Sequence, residues 1–378
     1  MSGFVLSEKP IEIDGGDGVR LHGADGTEYL DAGASYACVP AGHNHPAVVD
    51  AVTDQAAQLL YVQGSYPVAA RTDLYERLAA VAPGGLDNVW LCNSGAEANE
   101  AALKFARSAT EGTEFVAAQS GFHGRTMGAL STTWKPKYRA PYEPLVDGVT
   151  FVDFDDPEAL AAAVTDDTAA VLLEPIQGEG GVNPASVSYL ETARELTDEH
   201  GAALVLDEVQ TGLGRTGTLW ACEAAGVTPD VLTTAKGLAS GLPMGATLCA
   251  DWIADGAASH GSTFSGSPVV SAAATATLDA VVEADLPGNA AAVGDYLAAE
   301  LAAAGLSVRG EGLLLGVDVE ATDSSRVLKS LALEHEVLAL PAGRSTVRLL
   351  PPLTLDEDDA DEVVDALAAV LGPQEAVG

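Results

Sequence analysis

A chain of 378 residues, 47% of them hydrophobic, has the apolar content for a large core divided among two or three units. Its 55 acidic residues stand against 18 basic ones, a formal net charge of −37, which disfavours undirected association with nucleic acid or anionic lipid. No stretch approaches the roughly 18 uninterrupted apolar residues of a spanning helix, and residues 1–13 hold no basic segment followed by an apolar run, so a cytoplasmic protein that does not cross a membrane is expected.

Only 6 of the 18 cations are lysine. Self-repulsion at this charge is screened in concentrated salt, where the Debye length falls to about 3 Å at 1 M, so the balance fits a halophilic protein; an ordinary acidic enzyme is the plainer alternative. Cys38, Cys92, Cys222 and Cys249 are far apart and form no CxxC pair. They read as small buried apolar residues rather than a zinc site or a disulfide framework.

In chain order, short β-branched runs predict buried strands at Asn88–Cys92, Glu114–Ala118, 169–174, Ala203–Asp207 and Val231–Thr234. Alanine-rich stretches between and after them predict helices at 97–109, Val187–His200 and 269–284. This alternation is that of a mainly parallel sheet covered by helices. Around Asp285 the pattern changes to a helix at 289–304, short strands at 313–319 and 345–350, and an acidic amphipathic helix beginning near Asp356. The expected division is an N-terminal segment 1–40, a large α/β domain 41–284 and a smaller α+β domain 285–378, with no internal repeat.

Open α/β sheets hold ligands at the carboxyl ends of their strands, and four such ends carry chemistry. Asn93-Ser94-Gly95-Ala96 opens a helix, where free N–H groups and the helix dipole suit a phosphate, although many strand-to-helix turns contain Ser-Gly. Gly121-Phe122-His123-Gly124-Arg125-Thr126 offers a flat ring and a guanidinium able to grip a carboxylate. His123 reads there as a turn residue satisfied by backbone rather than as a general base. Ala203-Leu-Val-Leu-Asp207 ends in an acid that could pair with a protonated ring nitrogen, or merely cap the next loop. Thr233-Thr-Ala-Lys236 places one of six lysines beyond an apolar strand, where a partly desolvated amine can form a Schiff base with an aldehyde.

Other patterns carry less. Gly212-Leu-Gly214-Arg-Thr-Gly217 matches a dinucleotide fingerprint but is followed by Thr-Leu-Trp rather than a clear helix. His43 and His45 lack a third ligand, and no metal site is expected. The acidic run from Asp356 to Glu362 suits a solvated helix start.

Taken together, Asn93-Ser-Gly-Ala-Glu-Ala-Asn-Glu-Ala-Ala-Leu-Lys104, Gly-Phe-His-Gly-Arg125-Thr, Glu174-Pro-Ile-Gln-Gly-Glu179-Gly-Gly, Asp207-Glu-Val-Gln-Thr-Gly-Leu-Gly-Arg215-Thr-Gly, Ala-Lys236-Gly and His260-Gly-Ser-Thr263-Phe resemble the class III aminotransferases from about residue 10 to the end. Within that class the chain is most similar to acetylornithine aminotransferases and to transaminases of carrier-protein-linked aminoadipate semialdehyde and glutamate semialdehyde. The stretch from Phe122 to Tyr142, with Met127-Gly-Ala-Leu-Ser and Trp134-Lys-Pro-Lys-Tyr138, resembles the carrier-linked branch in particular.

The resemblance implies a fold type I transferase, with a mainly parallel seven-stranded sheet, that uses pyridoxal 5'-phosphate. It implies Lys236 as the Schiff-base lysine and Asp207 as the partner of the pyridine nitrogen. Gly95 and Ala96 would hold the phosphate, Phe122 would stack on the ring, Val209 would pack beneath it, Gln210 would approach its phenolic oxygen, and Glu208 belongs to the same cofactor-binding stretch. Thr263 would reach the phosphate of a partner subunit and Ser262 its substrate, making a homodimer with shared active sites. Arg125 would bind the substrate's α-carboxylate, and Arg348 that of 2-oxoglutarate, with Glu179 masking Arg348 when an ornithine-like donor is bound. The donor would be an N-acetylated or carrier-linked ornithine or its lysine analogue. An acidic carrier would need screening or a basic patch, for which Arg125, Lys135, Lys137 and Arg139 are candidates.

Two departures stand out. Ser265-Gly-Ser267-Pro268 replaces the usual Gly-Gly-Asn-Pro, and the nearest counterparts of a common N-terminal tyrosine are Phe4 or Leu6, the first tyrosine being Tyr29. Competing readings are another class III enzyme, such as a 4-aminobutyrate or ornithine transaminase, an aminomutase or a racemase, and a non-catalytic binding protein that has kept the fold.

Overall fold

The computed structural model describes residues 9–319 and 322–372; Phe4 and Leu6 lie outside them. A seven-stranded sheet runs in the order Asn88–Cys92, Gly245–Cys249, Val231–Thr234, Ala203–Asp207, Thr168–Leu173, Glu114–Ala118 and Val149–Val152. Only Gly245–Cys249 is antiparallel to its neighbours; the remaining pairs are parallel. The strands at Thr168–Leu173 and Ala203–Asp207 are buried along their whole length, as expected of parallel strands covered on both faces.

Side chains alternate across this sheet. Val171, Leu173, Leu204, Leu206, Leu232 and Leu248 enter one core. Ala170, Leu172, Ala203, Val205, Val231 and Cys249 enter another, against Ala101, Ala102 and Phe105 of the helix Gly95–Ala109. A third core joins Leu30 and Ala32 to Val293, Leu297, Leu315, Val317, Val347, Leu349, Val363 and Leu367. It lies around the antiparallel sheet of Val308–Glu311, Leu314–Asp318, Thr346–Leu349 and Leu340–Pro341. The N-terminal strands Ile13–Asp17, Arg20–Gly23 and Glu28–Asp31 attach to it through Val337–Leu338, which is parallel to Glu28–Asp31.

Element ends differ from expectation where capping decides them. Ser94 Oγ accepts the Glu97 N–H and starts that helix at Gly95 instead of 97. The helix expected from 289 begins at Leu286, because the Asp285 carboxylate accepts the Gly288 N–H and Pro287 suits the first turn. The strand expected at 169–174 is Thr168–Leu173, which frees Glu174 for a loop. Val149–Val152 and Gly245–Cys249 are strands that the sequence pattern does not signal: the first is four residues long, and the second, Gly-Ala-Thr-Leu-Cys, begins with weak strand formers.

Arg71 ties the long loops on one side of the large sheet. Buried in the helix Ala69–Val81, it donates to the carbonyls of Gly266 (2.8 Å), Tyr66 (2.9 Å), Gly64 (3.2 Å) and Val62 (3.3 Å). Truncation leaves several carbonyls without their charged donor. Arg71→Ala is therefore expected to lose about 3 kcal/mol of stability, read as a lower urea midpoint at unchanged slope.

Candidate active site

Three strand ends and two loops enclose a cavity of about 300 Å³. Ser94 uses its side chain on the Glu97 N–H, leaving the N–H groups of Gly95 and Ala96 at the helix start without intrahelical acceptors. Glycine is needed at 95 because a Cβ there would lie 2.8 Å from a Val209 methyl. This helix start is therefore an open anion seat with an apolar floor beside it.

Asp207, at the end of the central strand, is buried and accepts from all around. Oδ2 receives Asn99 Nδ2 at 2.8 Å and faces His123 Nδ1 at 2.7 Å, and Oδ1 receives the Val209 N–H at 3.1 Å. Thr233 Oγ1 donates to Asn99 Oδ1, which fixes that amide with its NH2 toward the carboxylate and the His123 carbonyl. The expectation that His123 is a turn residue satisfied by backbone is corrected: its ring pairs with Asp207 because the loop turns it inward, where it also lines the cavity.

Lys236 follows the strand Val231–Thr234 with φ +42, in the left-handed region. Burial, and then the Arg348 guanidinium, hold its amine below the ordinary lysine range, although Glu179 and Asp207 pull the other way. A depressed amine is more often neutral, the form that attacks a carbonyl. Phe122 stands edge-on to Tyr138 with ring centroids 6.0 Å apart, and the exposed Arg125 lies 3.9 Å over the Tyr138 ring.

Arg348, on the strand Thr346–Leu349, is fully buried. Its Nη2 lies 2.7 Å from Glu179 Oε1 and its Nη1 donates to Gln210 Oε1 at 2.9 Å. Burial pushes the Glu179 carboxyl up, but Arg348 and Lys236 outweigh it and hold the group below the usual range. Lys135 Nζ donates to the Glu179 carbonyl at 2.7 Å. Lys137 lies against the ring of Tyr138, as Arg125 does, whereas Arg139 lies against Phe151.

The structure thus brings Gly95, Ala96, Phe122, Arg125, Glu179, Asp207, Val209, Gln210 and Lys236 to one cavity, with Arg348 bonded to its edge. Glu208 is a correction. Its carboxylate accepts from Thr211 Oγ1 and from the N–H groups of Ala221 and Cys222, because successive residues leaving a strand point to opposite sides. Ser262 and Thr263 do not line this chain's cavity: Ser262 Oγ accepts from Asn93, and the Thr263 carbonyl accepts from Tyr61. His43 is held by Asp31 at 2.8 Å.

Two residues of the site carried no role in the sequence reading. Asn99 is a buried amide inside a helix, an anomaly that marks a specific partner. Glu174 accepts the N–H groups of Phe122 and Gly178, and burial raises its carboxyl. The whole arrangement suits a flat, anionic, aldehyde-bearing ring with a basic nitrogen: an anion seat at one end, an acid for the nitrogen, and an amine for the aldehyde.

Residues 6–371 match the family Aminotransferase class-III. The acetylornithine aminotransferase of Methanopyrus kandleri is 41% identical, over 97% of this chain and 95% of that protein. The LysW-aminoadipate semialdehyde transaminase of Deinococcus radiodurans is 43% identical over 97% of this chain and 87% of its own length. Among solved structures, an amine transaminase from an uncultivated Pseudomonas species in its PLP-bound form superposes with a TM-score of 0.89 at 33% identity, covering 98% of both chains.

Asp207 can be tested apart from any ligand. Asparagine would set an NH2 against donors that now meet an acceptor-only carboxylate. Asp207→Asn is expected to destabilise the cofactor-free protein by about 1–3 kcal/mol, measured as a urea midpoint.

Proposed function

The chain belongs to the class III aminotransferases, and from that premise we propose that it transfers the terminal amino group of an N-blocked ornithine, or of its lysine analogue, to 2-oxoglutarate. The products are a semialdehyde and glutamate. The enzyme is a pyridoxal-phosphate-dependent transferase of the α/β fold type I class. When bound, pyridoxal phosphate supplies the aldehyde that takes up the amino group and a ring that withdraws electrons from the reacting carbon.

The protein's part is positioning and proton transfer. The N–H groups of Gly95 and Ala96 would seat the phosphate, with Phe122 and Val209 supplying apolar contact for the ring. Asp207, held by His123 and Asn99, would be the carboxylate that keeps the ring nitrogen protonated. Lys236 would hold the cofactor's aldehyde through Nζ, and the same amine, once free, would be the base that takes the proton from the substrate carbon and the acid that gives it back. Arg125 at the mouth binds the donor's α-carboxylate. Thr263 of the partner subunit closes the phosphate seat and Ser262 of the partner subunit meets the substrate, so the working unit is a homodimer. Residues 41–284 act as the cofactor domain and 285–378, with the N-terminal segment, as the smaller domain that brings Arg348.

The observation that carries this reading is the pair of buried Arg348 and partly accessible Glu179 at 2.7 Å. A donor with one carboxylate and a remote amine needs that cation masked, whereas a dicarboxylate acceptor needs it free. One acid that can move aside serves both halves of the reaction. The four cations Arg125, Lys135, Lys137 and Arg139, close together in a chain of net charge −37, support an acidic carrier protein as the blocking group, with N-acetylornithine as the small-molecule alternative.

Lys236→Ala is expected to abolish steady-state turnover and the borohydride-reducible link to the cofactor; a fully active variant would falsify the assignment. Glutamate formation is then compared in molar salt for N-acetylornithine, carrier-linked ornithine and lysine, and 4-aminobutyrate. Transfer from an N-blocked ornithine or lysine is expected. Transfer from 4-aminobutyrate alone would remove the proposal.

A further inference from the structure

Arg348 has no access to solvent, yet its guanidinium is poorly satisfied. Nη1 donates to Gln210 Oε1 at 2.9 Å. Nη2 makes the ion pair with Glu179, but neither it nor Nε finds a well-aligned acceptor. A guanidinium carries five N–H donors, so the unused ones are available to a carboxylate offering two parallel acceptors. Once Glu179 moves aside for such a carboxylate, Gln210 is the hydrogen-bond acceptor among the described residues that still holds Arg348.

The same amide is packed from behind by the loop that carries Glu179. A Cβ on Gly178 would fall 1.9 Å from Gln210 Oε1 and 2.4 Å from its Cδ, so close approach, rather than an unusual φ, requires glycine there. The loop backbone is itself pinned: the Gly178 N–H donates to Glu174 Oε2 at 3.1 Å, and the Glu179 carbonyl receives Lys135 Nζ. What remains free to swing is the Glu179 side chain, which is 24% exposed.

We propose that Gln210 is a positioning residue that keeps Arg348 aligned while Glu179 is displaced, and so carries part of the affinity for the dicarboxylate acceptor. Gly178 is glycine to leave room for that amide. The inference rests on the reading of Arg348 as the residue that binds the acceptor's carboxylate. Because Gln210 turns its oxygen to Arg348, its NH2 would be left for the cofactor, and one side chain would serve both the cofactor and the carboxylate site. A residue of purely structural value would lower donor and acceptor use alike; this one separates them.

The test is calorimetric titration of glutarate, a dicarboxylate without a keto group to react, into holoenzyme of the wild type and of Arg348→Ala, Gln210→Met and Gly178→Ala. Each variant is first shown to hold its cofactor. Loss of one hydrogen bond to a buried charge corresponds to about a tenfold or greater change in affinity. Gln210→Met and Gly178→Ala are expected to bind glutarate about tenfold or more weakly, with KM for 2-oxoglutarate rising in step and KM for the amino donor moving by less than about threefold. Arg348→Ala is expected to bind none. Wild-type glutarate affinity in Gln210→Met, with binding lost in Arg348→Ala, overturns the proposal and leaves the underlying reading intact. Wild-type affinity in Arg348→Ala overturns that reading. Wild-type affinity in Gly178→Ala alone overturns the reason given for the glycine. If Gln210→Met fails to retain cofactor, the Gly178→Ala titration decides the role of Gln210, since its Cβ displaces the same amide.

Discussion

A carboxylate held out of water at the end of the central strand is the constraint around which the site is built. Asp207 is 4% exposed, and an acid so placed is tolerated only when its oxygens are paired. Each partner brings its own segment into register. Asn99 fixes the helix whose first N–H groups form the anion seat, His123 fixes the loop that carries Phe122 and Arg125, and the Val209 N–H fixes the loop that continues to Gln210. Thr233, through Asn99, brings in the strand that leads to Lys236. A network that pairs both oxygens of Asp207 favours one arrangement, since any slip leaves a buried carboxylate oxygen unpaired.

This explains which parts of the site were legible in the sequence. Gly95, Phe122, Asp207 and Lys236 follow apolar strands, and an open α/β sheet places the carboxyl ends of its strands together, so local pattern plus topology suffices. His123 and Asn99 are legible as residues but not as partners, because the contact joins positions far apart in the chain and has no period. Glu208 shows the opposite failure. It was grouped with Asp207 by adjacency, although the two-residue alternation of extended backbone already argues that neighbours face opposite sides. Of the sheet itself, long buried strands were readable; the four-residue edge strand at Val149–Val152 and the glycine-led Gly245–Cys249 gain their structure from neighbours rather than from propensity.

The second half of the site depends on a different balance. Arg348 is buried beside an acid that is itself partly accessible, so the pair costs desolvation on one side and can be opened from the other. A fully buried acid would lock the guanidinium; an exposed pair would contribute little and hold nothing. With the Gly178–Glu179 backbone pinned by Glu174 and Lys135, opening needs a change of side-chain rotamer rather than movement of a loop.

The surface charge sets how such a site recognises anions. A chain with 55 acids and 18 bases repels anionic ligands at long range in dilute buffer, and in concentrated salt that repulsion is confined to about 3 Å. Long-range attraction is screened to the same degree. Recognition must then come from groups that touch the ligand, the part proposed for Arg125. Arg125, Lys137 and Arg139 are braced on aromatic rings, which limits their conformational freedom before binding. Bracing lowers the entropic cost of engaging an anion, and that saving, unlike a long-range field, is not screened by salt.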